Sequence, residues 1–240
     1  VKLTTPFAEK MGETPWSEYP RPTLVRDSYL SLNGEWELCS DSYNGAVTVP
    51  FPPESLLSGV GREAGEEYSC KRKFSLPAGF VKDRVIVHFG AVDAEAVVII
   101  NGREAGHHVG GYLAFSFDVT ELLREGENEI EVKVRDSLDT ELPYGKQSRK
   151  RGGMWYTPIS GIWQSVWLES VPNSYIERLE ITPSLDSVQI KVTGGEAHKR
   201  LTLEGGEVYE FDGNVVTVSV ADPINWTPET PKLYGFTLEC

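Results

Sequence analysis

Gly152-Gly153-Met154-Trp155-Tyr156-Thr157-Pro158-Ile159-Ser160-Gly161-Ile162-Trp163-Gln164-Ser165-Val166-Trp167-Leu168-Glu169 brings three tryptophans together in quick succession. A loop punctuated by glycine and proline runs into an apolar strand pattern beyond Ser160-Gly161. Bulk this aromatic either fills a core or offers a flat face to a sugar ring. Trp163 and Trp167, with Trp36 upstream, sit in strand patterns and are expected to be core or inter-domain anchors. Trp155 and Tyr156 lie in the loop and are the candidates for stacking on a sugar.

Working outward, the same two-residue period recurs on both sides. Ile130, Val132 and Val134 alternate with Glu131, Lys133 and Arg135, the pattern of a half-buried strand. Val85, Val87 and Phe89 repeat it, as do Phe115, Phe117 and Val119, then Val188, Ile190 and Val192, then Val216, Val218 and Val220. Turn pairs fall between them at Asn44-Gly45, Asn101-Gly102 and Gly213-Asn214. One helical turn is expected at Glu121 to Arg124, with Thr120 as its N-cap. Many short strands joined by glycine-rich turns predict an all-β protein built of sandwiches. Aromatics thin out after Val171-Pro172-Asn173-Ser174, which places a boundary there. Residues 1–172 suit a jelly-roll β-sandwich. Residues 173–240 suit an immunoglobulin-like β-sandwich, small against the usual ~100 residues and expected to be truncated.

Composition narrows the partners. A net charge of −13, from 23 basic and 36 acidic residues, argues against nucleic acid and against anionic membranes. No apolar run approaches the ~18 residues of a membrane span. The N-terminal Val1-Lys2-Leu3-Thr4-Thr5-Pro6 lacks the apolar core of a signal peptide. Cys39, Cys70 and Cys240 are too few and too widely spaced for a disulfide framework or a metal site. Reduced thiols in the cytoplasm are the simplest expectation, with a processed secreted form as the alternative. The Asn225-Trp226-Thr227 sequon carries no weight without evidence of secretion.

Few groups look chemically active. His88, His107 and His108 could suggest a metal, but adjacent strand residues point to opposite faces, and no ligand spacing supports one. Neither a metal nor another cofactor is expected. A run of Lys146-Gln147-Ser148-Arg149-Lys150-Arg151 is unusual in so acidic a chain. Its polar composition, with Gly152-Gly153 beside it, predicts a loop that is flexible by itself. Lys146, Arg149 and Arg151 could hydrogen-bond sugar hydroxyls or a sugar carboxylate.

Several separated motifs resemble the N-terminal region of glycoside hydrolase family 2, the β-galactosidase and β-glucuronidase family. Pro20-Arg21-Pro22 with Leu32-Asn33-Gly34-Glu35-Trp36 resembles its entry motif, and Val49-Pro50-Phe51-Pro52-Pro53-Glu54-Ser55 the loop that follows. Phe89-Gly90-Ala91-Val92-Asp93 leading to Ile100-Asn101-Gly102 resembles its central hairpin, continued by His107 to Tyr112 and Phe115 to Thr120. Glu125 to Ile130 resembles the next hairpin, the tryptophan-rich stretch the end of the first domain, and Trp226 to Tyr234 the signature of the immunoglobulin-like second domain. On that signature Trp226 is expected to pack.

The resemblance implies hydrolysis of terminal β-linked sugars by a retaining mechanism, through two glutamates in a (β/α)₈ barrel. Such a barrel takes ~250 residues of its own, and nothing in this chain matches it. The single Asn-Glu pair, Asn128-Glu129, sits in a hairpin turn expected to face water, so no catalytic residue is assigned. The chain reads as a non-catalytic front end that shapes the sugar cleft and braces the barrel, its partners being carbohydrate and that barrel. A free-standing carbohydrate-binding module and a purely structural module are the alternatives. An acidic residue before the Met-Trp pair contacts substrate in some β-galactosidases. Gly153 stands there, with Asp139 and Glu141 as the nearest acids upstream.

Overall fold

The computed structural model of the chain describes residues 14–137, 141, 143–150 and 152–240. It is nearly all β and divides into two compact units, residues 26–171 with the segment before Arg21, and residues 172–240 with Arg21–Val25.

In the first unit two antiparallel sheets face each other. One orders β1 (Tyr29–Ser31), β12 (Val166–Val171), β5 (Arg84–Phe89) and β9 (Phe115–Asp118). The other orders β3 (Asn44–Val49), β2 (Gly34–Cys39), β4 (Glu67–Ser75), β10 (Glu127–Arg135), β7 (Glu95–Ile100) and β8 (Arg103–Val109). Alternation decides which side chains meet between them. Trp36 and Leu38, Val98 and Ile100, and Ile130, Val132 and Val134 come from one sheet, and Val85, Val87, Phe89, Val166 and Leu168 from the other. A two-strand ribbon, β6 (Val92–Asp93) with β11 (Gly161–Ile162), pairs Gly161 opposite Asp93.

Asn101-Gly102 makes the β7–β8 hairpin turn with both residues at positive φ, the backbone that this dipeptide tolerates best. Asn128, in the hairpin turn leading into the Ile130 strand, is buried. Its side chain accepts from Arg124 N at 2.9 Å and from Asn101 Nδ2 at 2.7 Å, tying two turns together. The helical turn is shorter and earlier than expected, a 3-10 turn over Thr120–Leu122. Asp118, not Thr120, supplies the side-chain acceptor there, taking Thr120 N at 3.0 Å, while Thr120 Oγ1 accepts from Val85 N.

Strand β12 is buried on both faces, which the alternating pattern does not predict. Trp167 and Glu169 lie on its outer face, where Glu169 accepts from Trp167 Nε1 at 2.8 Å and Arg26 Nε at 2.8 Å, and from the Tyr19 hydroxyl. His88 Nε2 lies 3.3 Å away, and its ring stacks on Trp167 at 4.9 Å.

The second unit packs β13 (Ile176–Pro183), β14 (Ser187–Gly194) and β17 (Val215–Ser219) against β16 (Val208–Asp212), β15 (His198–Leu203) and β18 (Phe236–Glu239). Its core is small: Ile176, Ile190, Val192, Leu201 and Val218 are the buried apolar residues. Its six described strands compare with the seven of a constant-type immunoglobulin sandwich. Trp226 departs from expectation at 59% exposed, because it lies in the irregular stretch between β17 and β18, with no sheet face to hold its ring. Among the described residues no helix is long and apolar enough to cross a membrane.

Candidate functional site

The candidate residues sit on the connection from β10 to β11 in the first unit. Pairing first extends β10, as Asp136 N donates to Glu66 O at 2.8 Å. The basic run then folds back on the segment that follows it. Tyr156 N donates to Lys146 O at 2.8 Å and Ser148 N to Tyr156 O at 3.0 Å, a parallel bridge between Gln147 and Tyr156. A turn across Gly152 to Trp155 closes the far end, with Gly153 at φ +62°, a conformation that glycine adopts without cost. Backbone groups on either side of Gln147 are thus bonded to Tyr156.

Gln147 Oε1 accepts from Ile159 N at 2.6 Å, and its side chain lies near enough to the Asp93 carboxylate to favour the charged form. Asp93 is only 4% exposed. Burial, then the neighbouring Asp136 charge, raises its pKa from the usual carboxylate range to about 6, with Gln147 opposing the rise. Gly111 lies against this carboxylate, and Gly110 bonds the next residue of the chain. Gly110 N donates to Ala94 O at 2.8 Å, and a Cβ on Gly111 would stand 2.1 Å from Asp93 Oδ1.

Just before β11, Ser160 joins the turn at Glu54 to Tyr68 of β4. Its hydroxyl donates to Glu54 Oε1 at 2.9 Å and its backbone N–H to Glu54 Oε2 at 3.1 Å. Because that proton is used, Tyr68 donates to Ser160 Oγ, 2.9 Å away. Burial pushes the Glu54 carboxyl upward.

Of the site residues expected from the sequence, Trp155 and Tyr156 are presented outward, 45% and 69% exposed, beside exposed Met154. Tyr112 is exposed nearby, its hydroxyl against Gly145 and its ring edge-on to Trp163 at 6.4 Å. Lys146 is exposed. Arg149 is turned back onto Glu63, Nε to Oε2 2.9 Å, with Glu66 and Asp136 adding longer-range attraction. Arg151 and Asp139 lie outside the described residues. Trp163, expected in the core, is half-buried between β11 and β12 and donates Nε1 to Gly111 O at 2.8 Å. His108 stacks on Phe115 at 4.1 Å and bonds Gly110 O at 3.0 Å.

Sequence reasoning missed Asp93, Gln147 and Gly111. The only local signals were a carboxylate ending an apolar strand, an amide within a basic run and a glycine pair. None of these shows that Asp93 packs on Gly111 or that Gln147 accepts from Ile159 N.

Comparison with known proteins agrees with the fold. The family described as "Glycosyl hydrolases family 2, sugar binding domain" matches residues 24–172. A β-galactosidase of Thermoanaerobacter pseudethanolicus is 26% identical over 88% of this chain, which spans 33% of that protein. Among solved structures, a β-glucuronidase from an uncultured Clostridium sp. superposes with a TM-score of 0.72 at 25% identity, over 90% of this chain and 43% of that one. A β-D-glucuronidase of Dictyoglomus thermophilum shares the fold with a TM-score of 0.71 at 21% identity, over 92% of this chain and 42% of that one. The chain thus spans less than half the length of these relatives.

Proposed function

The chain belongs to glycosyl hydrolase family 2 through its sugar binding domain, and on that premise we propose that it is the non-catalytic, sugar-facing region of an enzyme that hydrolyses terminal β-linked sugars. The observation that carries the reading is the exposed Trp155-Tyr156 tip, held out from the first unit by the Gln147–Tyr156 bridge. Flat rings fixed at a loop tip suit stacking against a sugar face. Lys146 beside them, and Arg149 once released from Glu63, would add hydrogen bonds to hydroxyls or to a uronic carboxylate. The paired carboxyl groups that retaining hydrolysis needs would come from a catalytic barrel of the same parent protein. The named activities of the relatives make β-galactosides and β-glucuronides the substrates to test.

The experiment titrates methyl β-D-galactopyranoside and methyl β-D-glucuronide into this chain, following tryptophan fluorescence, beside an assay on the corresponding nitrophenyl glycosides. The expected result is a weak, saturable change that Trp155→Ala removes, with no turnover. Turnover abolished by one Asp or Glu substitution would overturn the non-catalytic reading. A titration with no response would leave a structural module in its place.

A further inference from the structure

We propose that Tyr112 is a third ring of the sugar-facing surface, one that also offers a hydroxyl, and that Trp163 is the residue that positions it. The sugar contact rests on the function proposed above; the positioning does not.

The chain leaves the sheet at a defined point. Strand β8 ends at Val109, opposite Glu95, and Gly110 N still donates to Ala94 O at 2.8 Å. Gly110 then holds φ +121°, a backbone that side-chain-bearing residues rarely adopt, and the chain turns off the strand. This turn is gripped from two sides. Asp93 fills the space where Gly111 would carry a side chain, and Trp163 Nε1 donates to Gly111 O at 2.8 Å. Asp93 belongs to β6 and Trp163 follows directly on β11, so both grips come from the same short ribbon.

Tyr112, the next residue, stays 47% exposed. Its ring meets that of Trp163 edge-on, with 6.4 Å between centroids and 73° between planes. Its hydroxyl reaches Gly145, where an added Cβ would lie 3.3 Å away. Among the described residues nothing donates to that hydroxyl or accepts from it. Gly145 is joined to Lys146, whose carbonyl accepts from Tyr156 N at 2.8 Å. Tyr112 is therefore set beside the leg of the loop that carries the Trp155-Tyr156 tip.

The two roles follow from donor capacity. An indole has one N–H, and that of Trp163 is spent on Gly111. A phenol both donates and accepts, as every sugar hydroxyl does. A wholly apolar partner would leave the Tyr112 hydroxyl without a bond, at a cost in free energy. A pyranoside answers both the exposed rings and the hydroxyl.

The test is a double-mutant cycle in the titrations of methyl β-D-galactopyranoside and methyl β-D-glucuronide, with Trp155 kept as the fluorescent reporter. Y112F loses only the hydroxyl and is expected to weaken binding about threefold to tenfold, with the unfolding midpoint unchanged. W163F frees Gly111 O and should weaken binding as well. Because W163F acts through Tyr112, it should add nothing in the Y112A background. Equal affinities for Y112F and wild type would overturn the contact. Additive losses for W163F and Y112A, the pattern of a merely structural Trp163, would overturn the positioning.

The free chain gives a reading that needs no sugar. By NMR the Trp163 indole proton should exchange slowly in wild type, and the Tyr112 ring resonances should move in W163L. A freely exchanging indole proton, or unmoved Tyr112 resonances, would overturn the positioning. Indole exchange is measured on wild type, so it decides even where a Trp163 variant does not fold. A wild-type chain that responds to neither sugar sinks the sugar-facing reading and the Tyr112 contact with it, while the NMR measurement still judges the positioning.

Discussion

Tyr68 Oη stands 2.9 Å from Ser160 Oγ and fills the space where Gly161 would otherwise carry a side chain. A Cβ at Gly161 would lie 2.1 Å from that hydroxyl, and the residue holds φ +72°. Left-handed backbone costs an ordinary residue ~1–2 kcal/mol and overpacking a further ~1–3 kcal/mol. Gly161→Ala is therefore expected to lose about 2–5 kcal/mol, read from denaturant unfolding. Gly205→Ala, where nothing lies within 4 Å and φ is not positive, should lose less than ~1 kcal/mol. Tyr68→Phe should cost about 1 kcal/mol for the lost bond and relieve part of the Gly161→Ala penalty. Additive losses would show that the two positions do not meet.

Glu169 gathers Tyr19, Arg26, His88 and Trp167 around one buried carboxylate. Burial would raise its pKa, but the bonds from His88, Tyr19 and Trp167 and the His88 charge outweigh it and hold the group far below the ordinary 4.5. The sign follows from linkage. A depressed carboxylate contributes stability above its unfolded pKa, and that contribution fades as pH falls below about 4.5. Glu169→Ala removes the buried acceptor of the Tyr19, Arg26 and Trp167 bonds and is expected to lose ~3–5 kcal/mol at pH 7. The deficit should shrink in acid. A deficit independent of pH would remove the carboxylate's charge from the explanation.

Two of the three tryptophans expected from the sequence to be core or inter-domain anchors should separate experimentally. Trp36 is fully buried and donates Nε1 to Leu32 O at 2.7 Å, so Trp36→Ala should cost ~3–5 kcal/mol. Trp163 is half-buried, and Trp163→Ala is expected to cost less, ~1–3 kcal/mol. Trp163→Phe keeps most of the packing and gives up the bond to Gly111, about 1 kcal/mol. Equal losses for Trp36→Ala and Trp163→Ala would mean that Trp163 is as deep as its strand pattern suggested.

What could be read in advance was what repeats locally. Ile130, Val132 and Val134 announce a strand because side chains alternate every second residue, and Asn101-Gly102 announces its turn through backbone preference alone. The exposed Trp155-Tyr156 tip was legible from the glycines and proline around it. Burial of charge was not. Glu169 looks like the polar side of a strand until Tyr19 and Arg26, far away in sequence, cover it. Lys199 shares the parity of buried Leu201, yet its ammonium reaches the carbonyls of Glu196 and Gly213 and is 1% exposed. Asp93 and Gly111 meet only because β6 and the turn after β8 converge, and no spacing records that.

Asp93 supplies the last prediction, with a sign opposite to that of Glu169. Its pKa is raised to about 6, first by burial and then by Asp136, so the folded chain holds a proton there more firmly than the unfolded chain does. Stability from that proton is fully present below the model-peptide value of 3.8 and is lost as pH rises through about 6. At neutral pH the ionised group therefore weighs against the fold. Asp93→Asn removes the charge with almost no change of shape. The variant is expected to be more stable than wild type by about 1–2 kcal/mol at pH 7.5, and the gain should vanish by pH 4. Urea unfolding across that range measures the difference directly. A variant less stable than wild type at pH 7.5 would mean that the ionised carboxylate has a cationic partner in the folded chain, and the raised pKa would be wrong.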